Sequence, residues 1–175
     1  MKKMRKITLL ITVALLCIAT VSEAQSKNKQ RKIEYNSAYN YEVATLAVGV
    51  DGTKLIQVSS YGKKSEDAIR KAKMDVIACA LFKGFPPGGG GRAAKTPAII
   101  TDSSAADKHA DFFSQFFAIG GQYLNYVNMS NDGVPDARIK MKKQYKVTIT
   151  VSVAFDQLRK DMEEKGIARK LDAGF

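Results

Sequence analysis

Histidine occurs once in the 175 residues, cysteine twice and tryptophan not at all. One imidazole and two thiols exclude a Cys/His zinc site, a disulfide framework and any catalytic plan that needs two histidines. His109 is flanked by Asp107 and Asp111, but no Gly-x-Ser-x-Gly nucleophile elbow stands ready for it. The glycines at 88–91 before Arg92 lack the Gly-Lys-Ser or Gly-Lys-Thr ending of a phosphate-cradling loop, so they read as a plain surface loop. Asn128, Ser130 and Asp132 before Gly133 have the spacing of a calcium loop, yet the twelfth position is Ile139 where a bidentate Glu is required. These absences lead us to expect no cofactor, no metal and no enzymatic activity.

Acidic residues are also scarce, with 17 against 28 Lys plus Arg, for a net charge of +11. Part of that excess lies at the very start, where Lys2, Lys3, Arg5 and Lys6 precede the apolar run Ile7 to Val21, followed by Ser22, Glu23 and Ala24. A charged segment, an apolar segment of about 15 residues and a small-x-small site form an export signal over 1–24, too short for a membrane span of about 20. Leu15 and Leu16 before Cys17 depart from a lipidation site. Cleavage after Ala24 removes four cations and one carboxylate, which lowers the charge from +11 to +8 and leaves Cys79 as the single thiol. A lone thiol in an oxidising compartment is expected to be buried; the alternative is a reactive thiol in lowered-pKa surroundings.

Residues 25–40 are polar and basic and read as a flexible leader. A single domain is expected over 41–166, with a tail at 167–175. It opens with two strands about the hairpin pair Asp51-Gly52, Leu46, Val48 and Val50 alternating before the turn. A helix capped by Ser65 follows, with Ile69, Ala72, Val76, Cys79 and Ala80 on one face. Gly84 ends it, and a second helix capped by Ser103 or Ser104 runs to about Ala118. That helix carries Phe112, Phe113, Phe116 and Phe117, which are either core or, if exposed together, an oligomer or membrane-facing patch. A half-buried strand over 122–129 and a turn at 130–136 lead to one long strand with apolar residues at odd positions from Ile139 to Phe155, long enough to bend or bulge near Lys143, which breaks the apolar series. A last helix, capped by Asp156, runs from Gln157 to Lys165. The order implies an α+β fold, a mainly antiparallel sheet with two or three helices packed on one face.

The hairpin, the alanine-rich segment Asp67-Ala-Ile-Arg-Lys-Ala-Lys73, and Tyr145-Lys-Val-Thr-Ile-Thr-Val-Ser-Val153 running into Phe155-Asp-Gln-Leu158 carry a resemblance. In these segments the chain resembles the N-terminal domain of flagellar assembly protein T and related small bacterial outer-surface lipoproteins. The resemblance implies an exported, non-enzymatic, envelope-associated module that assembles into oligomers. The sequence departs from it in the lipidation site and in the glycines at 88–91.

Two functions are therefore expected for an exported protein of the periplasm or cell surface. One is an assembly or interaction module that binds envelope proteins or further copies of itself. The other is a polyanion- or cell-envelope-binding protein, with Lys140, Lys142 and Lys146 forming a basic strand face and Arg92 adding a contact, toward an anionic envelope polymer or lipid. Nucleic acid is disfavoured by export and by the lack of aromatics interleaved among the lysines.

Overall fold

A computed structural model describes residues 41–91 and 93–171. The export signal at 1–24, the leader at 25–40, Arg92 and the last four residues of the tail lie outside the described residues. The fold is α+β. Five strands, β1 (Tyr41–Val48), β2 (Thr53–Gly62), β3 (Val127–Met129), β4 (Ala137–Lys140) and β5 (Tyr145–Ala154), make one antiparallel sheet. The order is β1-β2-β5-β3, with β4 also paired to β5.

The β1–β2 hairpin turns at Asp51 and Gly52, whose φ angles of 54° and 69° are the two left-handed positions of a tight turn. Along β1, however, Thr45 is buried and Tyr41 and Val43 pack against the core, whereas Leu46 and Val48 are 37% and 48% exposed. The alternating Leu46 and Val48 thus occupy the exposed positions of the strand. Leu46 is the extra residue of a bulge between the Thr45–Ile56 and Ala47–Leu55 pairs.

Helix α1 (Ser65–Phe82) lies across β2 and β5. Its close approach is set by small residues: Ala68 and Ala72 are fully buried, and a Cβ on Gly62 of β2 would stand 2.5 Å from the Ala68 nitrogen. From Met74 to Leu81 every residue is buried. Two backbone hydrogen bonds tie the following chain to the helix end, Ile99 N to Ala80 O at 3.1 Å and Ile100 N to Leu81 O at 2.8 Å. These occupy carbonyls that a helix C-terminus leaves open. Ser65 is not the cap: it is the first helical residue, Lys64 holds the cap position, and no side chain caps the helix.

The second helical region breaks at His109 into α2 (Ala105–Lys108) and α3 (Ala110–Phe116). Ser104 holds the cap position, one of the two expected, but its side chain caps no amide; it is held by Asp102, which accepts from Ser104 N at 2.8 Å, Ser104 Oγ at 2.6 Å and Lys108 Nζ at 2.9 Å. These partners, the Ser104 hydroxyl first, hold the Asp102 carboxyl well below the usual carboxylate range.

The 122–129 strand is reduced to β3, because Gln122–Tyr126 forms a 3₁₀ turn. The long strand expected from Ile139 to Phe155 is a hairpin. Chain reversal falls at Met141–Gln144, closed by Met141 N to Gln144 O at 2.7 Å, and Ile139 pairs with Lys146. β3 and β4 run in the same direction along one edge of β5, and 130–136 is an excursion between them, closed by a turn at Asp132 and Gly133. Helix α4 (Phe155–Glu164) begins one residue before the expected cap, Asp156, and adds Phe155, Leu158 and Met162 to the core. The packed region runs past 166: Ile167 and Ala168 are buried, and both amides donate to Met162 O.

Candidate functional site

Splitting the long strand into β4 and β5 separates the lysines expected on one face. Lys146 lies opposite Ile139 and Tyr61 on the face of the sheet away from α1. Its ammonium donates to both Glu42 oxygens, at 2.7 and 2.9 Å, and stands 5.7 Å from the Tyr61 ring centre. That hydrogen bond, with the attached charge, lowers the Glu42 pKa and raises that of Lys146. Lys142 sits in the β4–β5 turn. Lys140 pairs with Tyr145, so it lies on the α1 side of the sheet, and Arg138, opposite buried Val147, shares that side. The three lysines therefore do not form one basic face.

A different cluster forms at the corner where β2 ends and α1 begins. A cleft of about 530 Å³ is lined by Lys64, Ser65 and Glu66 of the helix start and by Arg138, Lys140 and Tyr145 of the β4–β5 hairpin. Lys64, Arg138 and Lys140 make no ion pair among the described residues. Three cations thus face one carboxylate, Glu66. Lys64 and Arg138 were not singled out by sequence reasoning. Signals for them existed: Lys63-Lys64 stands immediately before the helix, and Arg138 precedes Lys140 by the two-residue strand period.

The phenylalanines are mostly core. Phe113, Phe116 and Phe117 are 0%, 1% and 7% exposed, and only Phe112 is half-buried. They pack on Phe82, Tyr126 and Tyr123, with ring centres 5.2 to 6.0 Å apart, which uses the aromatic surface that an oligomer patch would need to present. Cys79 is buried, donates to Gly84 O at 3.1 Å, and has its thiol pushed up to about 11 by burial. Those surroundings are the opposite of the lowered-pKa setting a reactive thiol requires. His109 stands at the helix break, where its amide donates to Ala105 O and its carbonyl accepts from Phe113 N, and its imidazole makes no hydrogen bond or ion pair among the described residues.

The glycine loop has fixed feet and an open tip. Phe85 and Thr96 exchange backbone hydrogen bonds at 2.9 and 3.0 Å, Gly88 N donates to Ala93 O at 2.8 Å, and Thr45 Oγ1 donates to Pro86 O at 2.6 Å. A Cβ at Gly89, Gly90 or Gly91 would meet nothing within 4 Å. In the 130–136 excursion, the Asp136 carboxylate accepts from the Asn131 amide and from Thr150 Oγ1, and no group of three His, Cys, Asp or Glu that could hold a metal occurs among the described residues. No described helix is long and apolar enough to cross a membrane. No family model, curated protein or solved structure matches the chain.

Proposed function

We propose that this chain is an exported, non-catalytic interaction module of the bacterial cell envelope, and that it engages an anionic partner at the corner between α1 and the β4–β5 hairpin. The observation that carries the reading is the convergence of Lys64, Arg138 and Lys140 on one cleft with no ion pair of their own among the described residues. Surface cations are usually scattered or paired, and unpaired ones gathered by two separate backbone segments, the start of α1 and β4, attract anions at low cost in desolvation. The charged, apolar and small-x-small pattern of 1–24 supports export. The resemblance of the α1 and β5 segments to the flagellar assembly protein T domain supports a non-enzymatic envelope role.

Binding of the purified protein to dextran sulfate, as a model anionic polymer, tests the reading across a salt series. The triple variant Lys64→Gln, Arg138→Gln, Lys140→Gln should bind more weakly and with a flatter salt dependence, while Lys146→Gln should bind as the parent does. Unchanged binding in the triple variant overturns the proposal.

Assembly of the chain with itself is favoured by a separate observation, the exposed apolar residues Leu46, Val48 and Val50 along β1 and its turn. Native mass measurement that shows an oligomer stable in high salt, lost on Leu46→Ser with Val48→Ser, supports it; a strict monomer counts against it.

A further inference from the structure

We infer that the corner cleft is a seat for a single phosphate-type oxyanion, held on the N-terminus of α1 by backbone amides and the Ser65 hydroxyl and flanked by Arg138 and Lys140. The inference rests on the reading of this corner as the anion contact and specifies which group of the anion is bound and by what.

The first turn of α1 is left open. Its first helical hydrogen bond is Ala68 N to Lys64 O at 3.1 Å, so the amides of Ser65, Glu66 and Asp67 have no acceptor among the described residues. Helix N-termini in this state present several donors together with the positive end of the helix dipole, an arrangement suited to phosphate.

A second observation comes from Ser65. It lines the cleft, is only 7% exposed, and its hydroxyl makes no hydrogen bond among the described residues. A hydroxyl at a helix start ordinarily caps a backbone amide. Here nothing in the described chain takes it, and a ligand oxygen in the cleft would. Opposite the helix start, Arg138 and Lys140 project from alternate positions of β4 on the same side of the sheet. Arg supplies a planar fork that matches two phosphate oxygens, and Lys supplies a point charge.

Glu66 also lines the cleft. It is exposed, at the rim of the helix start, and opposes an anion. Its place makes the inference sharper, since neutralising it must strengthen binding if an anion is what the cleft holds.

The test is a titration of the purified protein with inorganic phosphate at constant ionic strength, followed by amide NMR. Shifts are expected at Ser65, Glu66 and Asp67. Ser65→Ala should weaken binding about tenfold, the loss of one hydrogen bond to a charged group, and the amide spectrum should show the fold retained, since the hydroxyl removed has no partner. Glu66→Gln should tighten binding. A parallel arm measures binding to phosphatidylcholine vesicles with and without phosphatidic acid. Dependence on Ser65 in both arms supports a site for any phosphate monoester, and dependence in the vesicle arm alone supports a lipid headgroup as its source. If free phosphate leaves these amides unshifted and vesicle binding ignores Ser65→Ala, the inference is overturned. Retention of dextran sulfate binding in that case leaves the broader anion-contact reading standing.

Discussion

Ser60 on β2 donates its hydroxyl to the carboxylate of Asp75 on α1 at 2.5 Å, and both residues are fully buried. Lys71, one helical turn before Asp75, reaches the same carboxylate at 2.8 and 2.9 Å. The strand and the helix are thus joined by a polar clamp inside an otherwise apolar interface. Removing either partner costs the buried carboxylate one of its charge-assisted hydrogen bonds, so Lys71→Met and Ser60→Ala should each destabilise the protein by about 1–3 kcal/mol. Urea unfolding measures both, and values near zero would show that the clamp is not a fixed part of the fold.

Glycines of the same type should differ sharply in tolerance. A Cβ on Gly84 would stand 2.1 Å from Thr96 O, and its φ of 78° already disfavours any other residue, whereas a Cβ on Gly89 meets nothing. Gly84→Ala should lower the thermal midpoint strongly, and Gly89→Ala should leave it unchanged. Equal effects would contradict the picture of a loop with anchored feet and an open tip.

The buried aromatics make Phe113 a stability residue. It is 0% exposed and contacts Phe82, Phe112 and Phe117. Phe113→Ala should cost about 3–5 kcal/mol, with no change in oligomeric state beyond that caused by unfolding. A folded Phe113→Ala protein of parental stability, altered only in its mass, would restore the oligomer-patch reading.

Alkaline pH should weaken the fold through Cys79. Its thiol is raised from an ordinary 9.0 to about 11, so the unfolded chain releases this proton first. Stability is then full below pH 9.0 and declines as pH rises toward about 11, by on the order of 2–3 kcal/mol. Burial also raises the Tyr41 phenol, and its stabilising effect is lost in the same direction. Unfolding followed from neutral to alkaline pH checks the sign, and the native thiol should react slowly with iodoacetamide at pH 8, a probe of its shielding.

Much of the fold was legible because it is written locally. Asp51-Gly52 marks its turn by residue chemistry, and the three- and four-residue spacing from Ile69 to Ala80 marks α1. The β4–β5 hairpin was not legible, since Met141-Lys-Lys-Gln144 contains no Gly, Pro, Asn or Asp to signal reversal. Apolar residues at odd positions on both sides then look like one strand. In the hairpin each pair joins an odd to an even number, such as Ile139 with Lys146 and Lys140 with Tyr145. That parity puts Lys140 and Lys146 on opposite faces, which is why the expected basic strand face dissolved. The corner was hidden for a related reason: Lys64, Ser65 and Arg138 are brought together only by tertiary pairing.

The sheet's central partnership has a consequence for how the chain is made. Ser60 pairs with Val147, and the whole of β2 is matched to β5 from Thr53 with Ala154 to Gly62 with Tyr145. A ribosome therefore finishes β1, β2 and the apolar α1 long before their main partner emerges. Contacts so distant along the chain make closure slow, and fragments that stop before β5 have only β2 and its hairpin partner to cover the apolar side of α1. Under the export proposed above, that delay would keep the chain threadable until synthesis is nearly complete.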